Sequence, residues 1–390
     1  MSIEVRPFGV KCNIQCQYCY QNPQRDAGNI PATFDVPRMK AALERAGSSF
    51  TVFGGEPLLV PEQVLEDLWA FGLERFGSNG IQTNGTLIND RHIRLFKQYA
   101  VHVGISVDGP EDLNDVRWAG SVQATREATA KTHAAIERLV RENLIPSIIV
   151  TLHRNNATAD KLPRMRDWFR YLDTLGITSA RLHDLEIESA AVGAKYGLTA
   201  DEQLTAFIDF AALEPQLRQL RFDVFSDIRQ MMLGQDQATT CVWNGCDPYT
   251  TRAVQGVEGH GQRSNCGRTN KDGIDFVKAD REGFERYLAL YHTPHEFGGC
   301  RDCRFFLMCK GQCPGGAIGG DWRNRSSKCP LWMALFERFE ATLVLEGRTP
   351  VSVSPLRPAL EAFALRQWSE GRNPGIQGEL ARLEAEDGVA

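Results

Sequence analysis

The run Cys12-Asn-Ile-Gln-Cys16-Gln-Tyr18-Cys19 places three cysteines within eight residues near the start of the chain. Thiolates at this spacing can surround one metal centre, but a four-iron iron–sulfur cluster normally takes four of them. A loop with three thiolates therefore either takes a fourth ligand from elsewhere or leaves one iron open to a group that is not protein. A zinc site and a redox-active CxxC pair are the alternatives at this point.

The composition is that of a globular protein with room for more than one domain. The chain has 390 residues, 42% of them hydrophobic, and a formal net charge of −5. This charge, without a long basic run, argues against a general nucleic-acid surface. No stretch approaches the roughly 20 consecutive apolar residues that span a membrane, and the first residues do not resemble a signal peptide. We therefore expect a cytoplasmic protein, in which 11 cysteines indicate metal binding rather than disulfides.

Strand-like and helix-like patterns alternate along the first 235 residues. Runs rich in β-branched and aromatic residues, such as 49–53 and 146–152, precede helical patterns such as 61–76 and 162–175. This alternation predicts an α/β fold of parallel strands joined by right-handed crossovers. About six strand–helix units fit, short of the eight in a full barrel. In such folds the active site lies at the carboxyl ends of the strands.

A glycine-rich turn and several polar residues follow the predicted strands. Gly54-Gly55-Glu56-Pro57 comes directly after the strand 49–53, where two glycines permit a tight turn and a close approach of the backbone to a ligand. Later strand ends carry 82–84, 106–108, 151–154 and 183–188. Turn formation and helix capping are the alternative roles for these short polar side chains.

Together, the CxxxCxxC loop and the GGEP turn resemble the radical S-adenosylmethionine (radical SAM) superfamily, and the resemblance covers most of the first 235 residues. It implies a partial (β/α)6 TIM-like barrel and a [4Fe–4S] cluster on Cys12, Cys16 and Cys19, whose open iron binds SAM. It also implies that the GGEP turn receives the SAM amino group. The residues that would contact SAM are Tyr18, Gly54, Gly55, Glu56, Pro57, Gln82, Thr83, Asn84, Ser106, Asp108, Thr151 and Leu152.

The segment 237–331 carries the other eight cysteines and is rich in Gly, Asn and Asp, so it needs a staple in place of an ordinary core. Its cysteine spacing resembles the SPASM domain, a two-cluster extension found in many radical SAM enzymes. The resemblance implies two auxiliary [4Fe–4S] clusters, or structural zinc as the alternative. The ligands of the first would be Cys241, Cys246, Cys266 and Cys313, and those of the second would be Cys300, Cys303, Cys309 and Cys329.

We therefore expect three regions. A radical SAM barrel covers 1–235, a SPASM domain covers 236–335, and a helical extension covers 336–390. Within the extension, the charged and small residues from 375 onward are expected to be frayed.

The resemblance implies that SAM is cleaved to a 5′-deoxyadenosyl radical, which abstracts a hydrogen atom from a substrate at the barrel mouth. We expect that substrate to be a peptide or protein side chain that becomes oxidised or crosslinked, in particular during maturation of a ribosomally made natural-product peptide. The auxiliary clusters would move electrons. His183, Asp184 and Glu186 are the predicted catalytic residues, and the weaker candidates at the substrate are Arg117, Trp118 and Arg181.

Other functions stay open at this point. The cysteine spacing is nearest to that of anaerobic sulfatase-maturating enzymes, which make formylglycine, but those carry an Asp where this chain has Gly267, followed by Arg268. Radical oxidation or rearrangement of a small molecule and a zinc-stapled binding protein are further alternatives. Because Cys12 leaves no room for an N-terminal leader-binding module, we expect a separate protein to present the peptide, or recognition without a leader. A reductase such as flavodoxin or ferredoxin would supply electrons.

Overall fold

The computed structural model describes residues 2–28, 30–239, 241–243, 246–251, 254–269 and 283–386. The chain divides into two compact units: Met1–Asp223 with Gln255–Phe276, and Val224–Val254 with Val277–Ala390. Among the described residues, no helix combines the length and the apolar character needed to cross a membrane.

The first unit is built on a parallel sheet in which each strand lies beside the next one in the sequence. The strands are β1 (Ser2–Arg6), β2 (Phe50–Val52), β3 (Asn79–Thr83), β4 (Val101–Ser106), β5 (Ser147–Leu152), β6 (Ser179–Asp184) and β7 (Arg221–Phe222). A hairpin of β8 (Val254–Glu258) and β9 (Arg263–Ser264) extends the sheet on the β1 side, and its own two strands pair antiparallel. The predicted α/β fold with a parallel sheet is confirmed.

Helices connect successive strands. They are α1 (Asn22–Asp26), α2 (Val36–Ala46), α3 (Glu62–Phe76), α4 (Asp90–Gln98), α5 (Val122–Arg141), α6 (Leu162–Leu175), α7 (Ala190–Tyr196) and α8 (Ala200–Leu213). Local signals set the ends of α2: the Asp35 side chain accepts the backbone N–H of Arg38, and Gly47 ends the helix at a φ of 66°.

The core of the first unit lies on the sheet. Val5, Val52, Ile105 and Val150 on the strands are all fully buried. Burial along the strands is what a parallel sheet covered by crossover helices requires. Each such side chain contributes about 1.5–3 kcal/mol through the hydrophobic effect. The buried core therefore fixes the positions of the strands and of the residues at their carboxyl ends.

The second unit is mainly helical. Its helices are α9 (Asp223–Met232, beginning at the boundary), α10 (Glu285–His292), α11 (Phe306–Cys309), α12 (Cys329–Leu345), α13 (Arg357–Ser369) and α14 (Ile376–Glu386). Helix α10 begins at Glu285, and 280–282 lie outside the described residues. The predicted boundaries at 235 and 335 are not those of the compact units, since both fall inside the second unit and the β8–β9 hairpin belongs largely to the first.

The expectation of a frayed end was wrong for 376–386, which form α14. The carboxylate of Asp236 accepts the backbone N–H groups of Ile376 at 2.9 Å and Gln377 at 3.2 Å. The side chain of Ile376 is also buried. An acceptor 140 residues away thus caps the first turn, and local composition does not reveal it. Residues 387–390 lie outside the described part.

A buried arginine holds the Cys-rich segment of the second unit together. Arg286 is 1% exposed, and its guanidinium donates to the backbone carbonyls of Lys310 at 3.0 Å, Gln312 at 2.9 Å and Trp322 at 2.7 Å. Its own backbone N–H donates to Asp247 at 2.8 Å. A guanidinium has five donors in a fixed fork, so one side chain can bind several turns of irregular backbone at once. The segment therefore has a polar staple besides its cysteines.

Candidate active site at the strand ends

The cysteine loop follows β1 and is fixed by backbone hydrogen bonds to the segment after β4. The N–H of Gln15 donates to the carbonyl of Trp118 at 2.6 Å, and that of Gln17 donates to Val116 at 2.9 Å. Within the loop, the N–H of Cys19 donates to the carbonyl of Cys16 at 3.1 Å. Of the weaker sequence candidates, Trp118 thus acts here through its backbone carbonyl.

The Gly54-Gly55 turn lies directly against the chain that leads into Cys12. A Cβ added to Gly55 would stand 2.2 Å from the carbonyl oxygen of Lys11, and one added to Gly54 would stand 2.5 Å from that of Gly9. The N–H of Gly55 donates to Gly9 at 3.0 Å. In the structure these glycines permit close approach to the cysteine loop itself, and their close approach to a ligand stays a prediction.

Glu56 connects this turn to the end of β3. Its Oε1 accepts from the hydroxyl of Thr83 at 2.7 Å and from the N–H of Leu58 at 3.0 Å, while Oε2 accepts from the N–H of Asn84 at 2.8 Å. Burial raises the pKa of Glu56, although these hydrogen bonds oppose the shift. The amide of Asn84 in turn donates to the Asn13 side chain at 2.8 Å. The turn, the strand end and the cysteine loop therefore form one hydrogen-bonded unit.

The remaining predicted SAM contacts differ in the polarity and burial of their side chains. The Gln82 amide donates to the Ser106 hydroxyl at 2.8 Å across β3 and β4, and both side chains are half-buried. Pro57 is buried, and Leu152 is 1% exposed and belongs to the core. The side chain of Leu152 therefore packs in the interior, and the predicted SAM contact of this residue stays a prediction.

Asp108, after β4, lies at the centre of a buried network. Its side chain is 0% exposed and accepts the hydroxyl of Tyr18 and the backbone N–H of Thr151, the latter at 3.0 Å. Arg117 lies 3.9 Å from the same carboxylate, and His153 Nε2 lies 3.5 Å from it. Burial would raise the pKa of Asp108, but Arg117, His153 and Tyr18 together lower it. All of these contacts lie within the protein, and the predicted contact of Asp108 with a sugar hydroxyl stays a prediction.

Tyr18 brings the cysteine loop into that network. Arg117 donates to its hydroxyl oxygen at 3.2 Å. Burial, and next the charge of Asp108, raise the pKa of Tyr18 well above its usual value, so the phenol stays protonated and donates. Its ring packs with Val116, Leu185 and Tyr196. The aromatic residue before the third cysteine is therefore an anchor of the loop.

The three loop thiols are half-buried and influence one another. Burial, and next to it the charge of Cys16, raises the pKa of Cys19 to about 12. Burial and Cys16 likewise raise the pKa of Cys12 to about 11. Thiolates that disfavour one another in this way are stabilised when a cationic centre lies between them. The donor set therefore fits an iron–sulfur cluster. Among the described residues, no three His, Cys, Asp or Glu side chains are grouped as for a single metal ion.

In the second unit, the four thiols that the sequence assigned to one cluster affect one another's pKa. Burial raises the pKa of Cys309 well above its usual value, and the charges of Cys300, Cys303 and Cys329 add to that shift. Burial, followed by Cys303 and Cys329, raises the pKa of Cys300 to about 12. These four thiols therefore influence one another, and their ligation of one cluster stays a prediction.

The first auxiliary set stays a prediction. Burial raises the pKa of Tyr287 well above its usual value, and the charges of Cys246 and Cys241 add to that shift, so each of these cysteines lies near Tyr287 in the second unit. Cys313 belongs to that unit too, whereas Cys266 belongs to the first.

At the end of β6 the predicted catalytic residues meet Arg268. Its Nε donates to Glu186 at 2.6 Å, and its Nη2 lies 3.9 Å from Asp184. Burial, and then the charges of Arg268 and Arg181, lower the pKa of His183 to about 3, so its imidazole is neutral near pH 7. Arg181 itself pairs with Asp223. Sequence reasoning noted Arg268 only as the neighbour of Gly267, because nothing in its local pattern points to residues 82 positions earlier.

A model of the radical SAM superfamily matches residues 7–162, which contain the cysteine loop, the glycine turn and the strand ends as far as β5. The chain carries a radical SAM domain over these residues. The serine-type anaerobic sulfatase-maturating enzyme of Bacteroides thetaiotaomicron is 22% identical over 353 residues, covering 80% of this radical SAM chain and 82% of that enzyme. Three further curated relatives match over only 38%, 50% and 51% of their own length, so the chain spans about half of them or less.

Two solved structures share the fold of this radical SAM enzyme. The structure of anSMEcpe with bound AdoMet and a peptide aligns with a TM-score of 0.65 at 18% identity, covering 88% of this chain and 98% of that one. SuiB of Streptococcus suis aligns with a TM-score of 0.51 at 14% identity, covering 84% and 76%. The recognition made from the cysteine loop and the GGEP turn is therefore confirmed.

Proposed function

We propose that this radical SAM enzyme abstracts a hydrogen atom from a peptide or protein side chain, giving an oxidised or crosslinked product. The observation that carries the proposal is the fixed position of the three-cysteine loop. The glycine turn, Glu56 and Tyr18 each tie that loop to the carboxyl ends of the strands. When bound there, a [4Fe–4S] cluster and SAM would supply the radical that removes the hydrogen atom.

The chain's own residues would hold these groups in two ways. Cys12, Cys16 and Cys19 would ligate the cluster, and the paired side chains of Gln82 and Ser106 would face SAM from the half-buried strand ends. Glu56 and Asp108 are buried and already accept several hydrogen bonds. We therefore assign both to positioning: Glu56 fixes the turn, and Asp108 fixes Tyr18. Positioning of this kind matters because misplacement by about 1 Å can cost a hundredfold in rate.

The substrate would meet the end of β6. We propose that His183 hydrogen-bonds the substrate as a neutral imidazole, and that Arg268 holds Asp184 and Glu186 beside it. A residue with the low pKa of His183 is a weak base, so it orients rather than deprotonates. The auxiliary clusters would accept the electron that leaves the substrate.

Two kinds of peptide substrate have specific support. The match to a sulfatase-maturating enzyme over 82% of its length favours formylglycine formation on a sulfatase Ser or Cys. The lack of a side chain at Gly267 favours a different peptide modification, because the acidic group expected there is missing. Of these two, we favour a peptide modification other than formylglycine formation.

The test is product analysis on anaerobically reconstituted enzyme with SAM and dithionite. Sulfatase-derived Cys and Ser peptides and short precursor peptides encoded beside the gene are incubated separately, and masses and 5′-deoxyadenosine are measured. A peptide-dependent mass change with matching deoxyadenosine supports the proposal, and formylglycine on a sulfatase peptide selects the first kind of substrate. Turnover of small molecules alone would contradict a peptide substrate.

A further inference from the structure

A histidine lies beside the four thiols of the second unit. His295 precedes Cys300 by five residues, and its Nε2 stands 3.8 Å from the Sγ of Cys329, within hydrogen-bonding reach of the larger sulfur atom. The residue is exposed to solvent. Whether this contact is a hydrogen bond to sulfur depends on which ring nitrogen carries the proton.

Arg325 determines that proton's position. Its Nη2 lies 3.3 Å from His295 Nδ1, while its Nη1 donates to the carbonyls of His295 at 2.6 Å and Gly299 at 3.0 Å. Because a guanidinium has donors and no acceptor, Nδ1 must be the acceptor of this contact. Since Nδ1 accepts from Arg325, the nitrogen that can donate is Nε2, the atom that faces Cys329.

Arg325 is well placed to hold this tautomer. It is only 9% exposed, and its backbone N–H donates to Gly298 at 2.8 Å. The residue thus joins the turn before Cys300 to the segment before Cys329 through hydrogen bonds to the backbone of His295, Gly298 and Gly299. Its charge also opposes the burial that raises the pKa of Cys300.

We infer that His295 donates a hydrogen bond from Nε2 to the thiolate of Cys329 and thereby tunes the second auxiliary cluster, with Arg325 fixing the tautomer. This inference rests on the proposed cluster on Cys300, Cys303, Cys309 and Cys329. Hydrogen bonds to cluster sulfurs set reduction potentials, because they stabilise the extra negative charge of the reduced form. His295 is thus a positioning residue that raises the potential of this cluster.

The experiment is an anaerobic redox titration, followed by electron paramagnetic resonance, in a chain whose Cys12, Cys16 and Cys19 are all replaced by Ala. About eight irons per chain are expected to remain. Three changes are compared in this background: His295→Leu removes the donor, His295→Gln offers an amide donor, and His292→Leu alters an exposed histidine three residues away. The other auxiliary cluster serves as the reference within each sample.

We expect His295→Leu to lower the potential of one cluster only. The ratio of its reduced to oxidised form at a fixed potential should fall about tenfold, which is about 59 mV for a one-electron couple. His295→Gln should restore part of the lost potential, and His292→Leu should have no effect.

An unchanged potential in His295→Leu at full iron content would overturn the inference while leaving the cluster in place. Loss of about four irons in both His295 variants would also overturn it, because the side chain would then matter for assembly and not as a donor. If the background chain with an unchanged His295 contains zinc in place of iron, that result would instead refute the proposed cluster.

Discussion

The hydroxyl of Tyr18, inside the cysteine loop, donates a hydrogen bond to the buried carboxylate of Asp108 at the end of β4. The two residues are 90 positions apart. Through this bond the position of the loop depends on the sheet, since Asp108 is also held by the N–H of Thr151 on β5. A loop that must present three thiols at fixed positions gains from such a tie, because ordering a loop costs conformational entropy.

Tyr18→Phe tests this tie. The change leaves a buried carboxylate with one donor fewer, which costs about 1–3 kcal/mol of folding free energy. We expect lower iron occupancy of the loop cluster and slower SAM cleavage, measured as iron per chain and 5′-deoxyadenosine rate. Tyr171→Phe is the matched control, because that hydroxyl bonds Glu137 on the exposed surface. Equal effects of the two changes would contradict the anchoring role.

Gly55→Ala tests the close approach of the turn to the loop. The new Cβ would meet the Lys11 carbonyl at 2.2 Å, so the backbone before Cys12 must shift. We expect loss of at least tenfold in deoxyadenosine formation, equivalent to about 1.4 kcal/mol on the barrier. Gly378→Ala in α14 is the control, because nothing lies within 4 Å of its added Cβ. A fully active Gly55→Ala would show that the turn does not position the loop.

Arg268→Gln separates substrate handling from SAM cleavage. Glu186 is 7% exposed, and removing the positive partner of a buried carboxylate typically costs about 3–5 kcal/mol. We expect peptide modification to be lost while deoxyadenosine formation without peptide persists. Arg268→Lys should retain part of the modification. As a control, Arg75→Gln removes an exposed arginine paired with Glu44 and should change neither readout. Normal modification by Arg268→Gln would remove Arg268 from the substrate region.

The pKa of His183 predicts a pH dependence of stability. In the unfolded chain this histidine binds a proton below about pH 6.5, whereas burial and the arginines delay protonation in the folded chain to about pH 3. The unfolded state therefore binds more protons between these values, and stability must fall as pH falls through that window. Urea unfolding at pH 7.5 and pH 5 should show a larger loss for the wild type than for His183→Gln. Identical losses would mean that His183 titrates normally.

Local signals were sufficient for much of the fold. Residues in the local sequence mark these helix ends. Asp35 caps the start of α2 and Gly47 ends it, and Gly176 ends α6. The turn of Gly54-Gly55 was also visible, but its partner was not, because the Lys11 carbonyl comes to it through the pairing of β1 with β2.

The parts of the site that the sequence could not predict depend on contacts between distant segments. Arg268 reaches Glu186 across 82 positions, and Asp236 caps α14 across 140. Asp108 was recognised as a strand-end residue, but its burial among Tyr18, Arg117 and His153 depends on how three segments pack. Cysteine spacing suggests one ligand set in Cys300, Cys303, Cys309 and Cys329, because the ligands of a cluster constrain spacing directly, and this set stays a prediction.

The most direct test of the central claim is SAM cleavage by the wild type and by the variant with Cys12, Cys16 and Cys19 all replaced by Ala. Both proteins are reconstituted anaerobically, and iron, sulfide and 5′-deoxyadenosine are measured with dithionite and SAM. We predict deoxyadenosine from the wild type with about twelve irons per chain, and none from the variant, which keeps about eight. Deoxyadenosine at the wild-type rate from the variant would contradict the assignment of the loop as the site of SAM cleavage.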